Sequence, residues 1–208
     1  MPRNASHKAR TRQRIIEAAA RAFRERGVEA VGIADIMRAA GLTHGGFYAH
    51  FPSKDALVAE AARRGLSDSR RAFVASAAEA NPEAPAREVI RRYVSRAHRD
   101  LPADGCAMPS LAADISREPE EVRHAFTLAL DEFVTALMEY VPGETTEDRR
   151  DVALALSAAM SGAVALSRAL DDPEMSDRIL LAARRFLWRS LAGIAPDAGP
   201  PAESASPA

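Results

Sequence analysis

Apolar positions recur at intervals of three and four residues along most of the chain, and no run of β-branched residues alternates with the two-residue period of a half-buried strand. The spacing predicts a first helix over residues 10–26, where Ile15, Ile16, Ala19, Ala22 and Phe23 form one stripe and Gly27 ends it. Ile33, Ile36, Met37 and Ala40 line a second, short helix. Gly41 stops it by taking a left-handed backbone conformation, so that Leu42 folds back over the helix end. A third segment covers residues 43–50, with Thr43 placed to cap it. Phe47 and Phe51 share one side of it, leaving His44, Gly45, Tyr48 and His50 on the other. Pro52 breaks the pattern. Ser53 then caps a long helix running to about residue 80, with Leu57, Ala61, Leu66, Ser69, Phe73 and Ala77 on its inner side.

Beyond a break at residues 81–85, the helical period resumes over 84–98 with Val89, Ile90, Tyr93, Val94 and Ala97. A loop over 99–106 precedes a short helix starting after Met108 or Pro109 that buries Leu111, Ala112 and Ile115. Residues 118–140 form a long amphipathic helix through Val122, Phe126, Leu130, Phe133, Val134 and Leu137. The next, 147–170, is apolar or small almost all round and needs cover on nearly every side. A last helix spans 174–191, and the tail, 195–208, is rich in Pro, Ala and Ser and expected to be disordered. The fold class is therefore all-α, with about nine helices. The expected organisation is a basic flexible arm over 1–9, a three-helix unit over 10–53 and a helical body over 54–194.

Charge separates the two ends. Residues 1–64 hold 12 Lys/Arg and 6 Asp/Glu, a balance of +6; the remaining 16 basic and 23 acidic residues give −7. A positive first third on an acidic remainder fits a nucleic-acid-reading unit attached to a separate body. Arg3, Lys8 and Arg10 in the arm suit minor-groove or backbone contact, with a merely solvated terminus an equal reading. The single Cys106 excludes an intramolecular disulfide, and with five scattered histidines it gives no metal cluster. There is no phosphate-binding loop, no dinucleotide fingerprint and no nucleophile, base and orienter set, so neither a cofactor nor an enzyme is expected. No uninterrupted apolar stretch approaches the length of a membrane span and the first residues lack a secretory segment, so the chain is expected in the cytoplasm.

Chemistry concentrates in residues 33–61. Gly45 and Gly46 each weaken an isolated helix by roughly 1 kcal/mol relative to alanine, which fits a segment held by its neighbours and kept smooth for close approach. Lys54 stands at a helix N-terminus, where the dipole gives a cation nothing; a phosphate shared with the free amides accounts for it. On the first helix Arg12 is the best phosphate candidate.

The run AAGLTHGGFYAHFPSKDAL, residues 39–57, resembles the recognition region of TetR-family transcriptional regulators, and the resemblance extends over residues 12–60. It implies a homodimer whose paired helix-turn-helix units enter successive major grooves of a palindromic operator, with a body that binds a small-molecule effector and releases DNA. Carried onto this chain, Thr43, His44 and Gly45 approach base edges, whereas Tyr48, His50 and Lys54, with Arg12, hold phosphates. Two positions depart from the family pattern: Gly32 replaces the usual capping Ser or Thr, and Met37 a small alanine.

The body is more weakly similar to a subgroup with a Gly-Cys pair before a short helix, here Gly105 and Cys106. Three readings of Cys106 stay open: packing, a helix-N-terminal thiol lowered in pKa to sense oxidants or electrophiles, or effector contact. Phe73, Tyr93, Met108, Leu111, Phe126, Leu130 and Met160 are candidate linings of a pocket for an apolar or aromatic effector, or ordinary core. The last two long helices pair across a two-fold axis in the family, which nominates Leu156, Met160, Val164, Phe186 and Leu187 for dimerisation, an intrachain core explaining each singly almost as well. Repression is the expected function, with activation by the same fold or thiol-based sensing as alternatives.

Overall fold

The structure, a computed structural model, describes residues 2–193, and the side chains from residue 7 onward. The expectation for the tail falls outside the described residues. Within them the chain forms ten α-helical segments and no strand. The head consists of α1 (Pro2–Arg26), α2 (Ile33–Ala39) and a tight 3₁₀ turn, His44–Ala49, here called the reading segment. Residues 2–9 are thus helical, not an irregular arm; Pro2 sits in the first turn, and Ala, Lys and Arg are good helix formers.

Gly27 and Gly41 both take positive φ, as the turns after α1 and α2 require. At Gly41 the chain closes with the Leu42 amide donating to the Met37 carbonyl and the Gly41 amide to Arg38, while Arg14 reaches across from α1 to the Ala40 carbonyl at 2.5 Å. Ile15, Phe23, Ile36, Met37, Phe47, Phe51 and Leu57 are fully enclosed between these elements.

Helix α3 (Lys54–Ser69) leaves the head, capped by the Ser53 hydroxyl accepting from the Ala56 amide at 3.1 Å. It widens into a π-helical turn (Arg70–Ala75) and continues as α4 (Ser76–Ala80). An inner-face spacing of four residues overshoots the 3.6-residue turn, and the wider turn absorbs that excess, so Ser69, Phe73 and Ala77 all stay buried. The helix expected over 84–98 is two: α5 (Pro85–Tyr93) and α6 (Arg96–Asp100), with the Ser95 hydroxyl capping α6 through the His98 amide. A 3₁₀ turn (Pro102–Asp104) leads to α7 (Ala107–Ile115), α8 (Glu120–Met138), α9 (Thr146–Ala169) and α10 (Pro173–Gly193). Helices α3, α8, α9 and α10 pack successively against one another.

A buried polar network stitches the body. Tyr93 Oη lies 3.0 Å from Ser161 Oγ, His98 Nδ1 donates to the Tyr93 carbonyl at 2.7 Å, and His98 Nε2 accepts the Cys106 amide at 2.8 Å. Both ring nitrogens are thereby assigned, the imidazole is neutral, and burial lowers its pKa to about 4. Arg168, at the end of α9, donates to the His98 and Arg99 carbonyls at 2.6 and 3.0 Å and to Ser110 Oγ at 2.9 Å.

Head and body meet along the end of α1. The Val28 amide donates to Asp114 of α7 at 2.9 Å, Arg24 donates twice to the Ala103 carbonyl, and Arg21 pairs with Asp104. By composition α9 is apolar and long enough to cross a membrane, with a mean hydropathy of 1.5 in its most apolar 18 residues. Its small residues reach that total although no unbroken apolar run exists. It packs into the body on one side, where Ala153, Leu156, Met160 and Val164 are buried.

Candidate nucleic-acid interface

The reading segment is built from its buried side outward. Phe47 and Phe51 stack at 5.7 Å between centroids and anchor it to α1 and α2. With them fixed, Thr43, His44, Gly45 and Tyr48 stand in solvent, Tyr48 at 64% exposure. A Cβ added to Gly45 would meet nothing within 4 Å, so no internal contact requires a glycine there.

Thr43 does not cap the segment with its side chain. In a 3₁₀ turn the Gly46 amide is taken by the Thr43 carbonyl at 3.1 Å, which leaves the hydroxyl free on the exposed row. His50 closes the segment half-buried; its Nδ1 has no partner among the described residues. Burial lowers its pKa, with the positive charges of Lys8, Arg12 and His7 acting in the same direction.

Two expected phosphate ligands are otherwise engaged. Arg12 grips Glu60 of α3 with both guanidinium nitrogens, one of them at 2.5 Å, and lies over the Phe51 ring at 4.6 Å, so the carboxylate raises its pKa. It ties α1 to α3. Lys54 turns away from the open surface and donates to the Val28 carbonyl at 2.8 Å. A nearby backbone acceptor at the seam, invisible in the residue order, outcompetes the outward orientation inferred from helix polarity alone. Exposed Lys8 and Arg10 on the first turns of α1 supply the free positive charge instead.

In the body, Phe73, Tyr93, Met108, Leu111 and Met160 are buried and Phe126 and Leu130 half-buried. Of these only Phe73 borders a described cleft, a space of about 380 Å³ shared with Arg91, Arg92, Ser95, His98 and Gly105. Cys106 does sit at the N-terminus of α7, its sulfur accepting the Met108 amide at 3.4 Å, but it is completely buried and that burial raises its pKa. The thiol is shielded by the body around it.

Among the candidate dimerisation residues, Leu156, Met160, Val164 and Leu187 lie in the intrachain core; only Phe186 is exposed, at 61%. The outward side of α9 is a different set: Leu154, Ala155, Ala158, Ala159, Gly162 and Leu166, continued on α10 by Met175 and Phe186. The pattern of 147–170 contained this face, but a helix apolar on two sides gives no polar marker by which to choose between them.

A polar, glycine-smoothed row presented by a phenylalanine-anchored turn, on a three-helix unit of positive charge, defines a helix-turn-helix DNA-binding regulator. Residues 15–61 match the model of bacterial regulatory proteins of the tetR family, and the relatives and solved structures similar to the chain likewise point to a TetR-family transcriptional regulator. It is 28% identical over 144 residues, 68% of this chain and 72% of the relative, to the HTH-type transcriptional repressor DhaR of a Mycobacterium species. Over 48 residues, 23% of each chain, it is 54% identical to the HTH-type transcriptional regulator TtgR of Pseudomonas putida. Among solved structures it resembles SCO4454, a TetR-family transcriptional regulator from Streptomyces coelicolor, with a TM-score of 0.62 and 26% identity over 88% of this chain and 97% of that one.

Proposed function

We propose that the chain is a homodimeric repressor whose two reading segments occupy successive major grooves of a palindromic operator and are withdrawn when a small molecule binds the body. The single observation that carries DNA reading is the exposed row Thr43, His44, Gly45 and Tyr48, free of internal bonding obligations and backed by a closed aromatic core. Thr43 and His44 read base edges, Gly45 admits a close approach, and Tyr48 and His50 hold phosphates together with Lys8 and Arg10. Repression is supported by the likeness to DhaR, itself a repressor.

Dimerisation is supported by the uncovered side of α9. Leu154 and Leu166 stand in solvent on a face whose remaining residues are alanine and glycine, and Met175 and Phe186 extend it on α10. Covering such a surface removes apolar area from water, and small residues allow two helices to approach closely.

Footprinting on genomic fragments tests the reading. The expected result is two protected half-sites with centres about 34–36 Å apart. In the variant Leu166→Glu the same protein sediments as a monomer and the paired protection disappears. Protection of a single, non-repeated site by a monomeric wild type overturns the proposal.

A further inference from the structure

A cleft of about 1070 Å³ lies between α10 and the α5–α6 junction. Its apolar floor is formed by Val94, Leu180 and Leu181, and its walls are arginines: Arg96, Arg178, Arg184, Arg185 and Arg189. Arg96 is neutralised by Asp177, to which it is bonded at 2.8 Å, and Asp177 also receives Arg99 at 2.8 Å. None of the ion pairs among the described residues uses Arg178, Arg184, Arg185 or Arg189. Against these four stand Glu174 and Asp177, the latter already held by Arg96 and Arg99, in a part of the chain that is acidic as a whole.

The positions are ordered as well as numerous. Arg178, Arg185 and Arg189 are seven and four residues apart, so they share one side of α10 along about 16 Å of its length. All three are exposed, while Leu180 beneath them is buried. A row of unpaired guanidiniums beside an apolar floor matches a ligand with a phosphate-type head, which forked donors hold bidentately, and a short hydrocarbon portion.

The cleft also has a short mechanical route to the head. Arg96 begins α6; α6 leads through the Pro102–Asp104 turn, whose Asp104 pairs with Arg21 and whose Ala103 carbonyl receives Arg24. Both arginines belong to α1 of the reading head. An anion that draws Arg96 off Asp177 shifts α6 and, through the turn that follows it, the anchor of α1.

We infer that this arginine-walled cleft is the effector site, and that the effector is a small amphiphile with a phosphate-type anionic head. The inference rests on the DNA-regulator reading for its consequence but not for its binding test. Calorimetry on the full chain without DNA compares octyl phosphate, inorganic pyrophosphate and octanol. Octyl phosphate binds saturably and at least about tenfold more tightly than either of the others. The double variant Arg178→Gln, Arg185→Gln weakens that binding by about tenfold or more and leaves the melting temperature unchanged. Absence of saturable octyl phosphate binding, equal binding by the double variant, or pyrophosphate or octanol binding as tightly as octyl phosphate overturns the site. In a second arm, octyl phosphate lowers the affinity of wild type for its footprinted DNA and has no such effect on the double variant; binding without any change in DNA affinity overturns the regulatory role. Failure to find any footprint refutes the DNA-reading proposal and leaves the calorimetric outcome standing.

Discussion

In the reading head apolar side chains point inward around Phe23, Phe47 and Phe51 and the outward row is polar, whereas in the body α9 is apolar on its inward and its outward side. The head therefore declares which residues are core and which meet a partner. The body does not: Met160 and Leu166 are equally suitable interface residues by type, yet the first is fully enclosed and the second is 61% exposed. Polar contrast is what makes a binding surface readable, and the uncovered alanine and leucine face of α9 lacks it.

The strongest way to break the contrast is to open the head. Phe47→Ala removes a fully buried ring from the stack with Phe51 and is expected to cost about 3–5 kcal/mol in urea denaturation, abolishing operator binding. A loss below about 1 kcal/mol would show that the head core is not closed around it.

Acid probes the body. His98 is held neutral, with its folded-state pKa depressed to about 4 from an ordinary 6.5, so its contribution is fully present above pH 6.5 and is lost as pH falls toward 4. The loss is on the order of 3 kcal/mol. Denaturation midpoints between pH 7 and 4 measure it, and His98→Gln removes this part of the slope. An unchanged slope in that variant assigns the acid sensitivity elsewhere.

Within the head, His44→Ala is expected to change preference among operator variants by about 1–3 kcal/mol at one base position and to leave stability intact. Equal weakening on operator and random duplex would remove its base-reading role. The smallest effect belongs to Lys54→Ala. Because Lys54 is bonded to the Val28 carbonyl, it should cost about 1 kcal/mol of stability and leave the salt dependence of DNA binding unchanged. A shallower salt slope would return Lys54 to the phosphate ligands.

How far the residue order disclosed the molecule follows the same division. The left-handed Gly41, the Ser53 cap and the Phe47–Phe51 anchor were all legible, because each depends on neighbours within a few positions. The partners of Arg12 and Lys54 were not. Glu60 and the Val28 carbonyl lie 48 and 26 residues away, and helix polarity says only where a charge begins, not which acceptor the fold brings to it. Packing is one of the readings open for Cys106, but the sequence cannot choose it over a reactive thiol: its place at a helix N-terminus is local, whereas its burial comes from the surrounding body.

The π-helical turn Arg70–Ala75 carries a consequence for how this chain tolerates change in length. Such a turn holds about one residue more than an α-helical turn of the same helix. Deleting one residue from it would let α3 and α4 run as one uninterrupted α-helix in which Ser69 and Ala77, then seven positions apart, return to the same face after about two turns. Ala77 would stay in the core, and α5 would keep its seat on α4. A second deletion has no such slack to draw on and would swing every side chain beyond it by about 100° relative to the head.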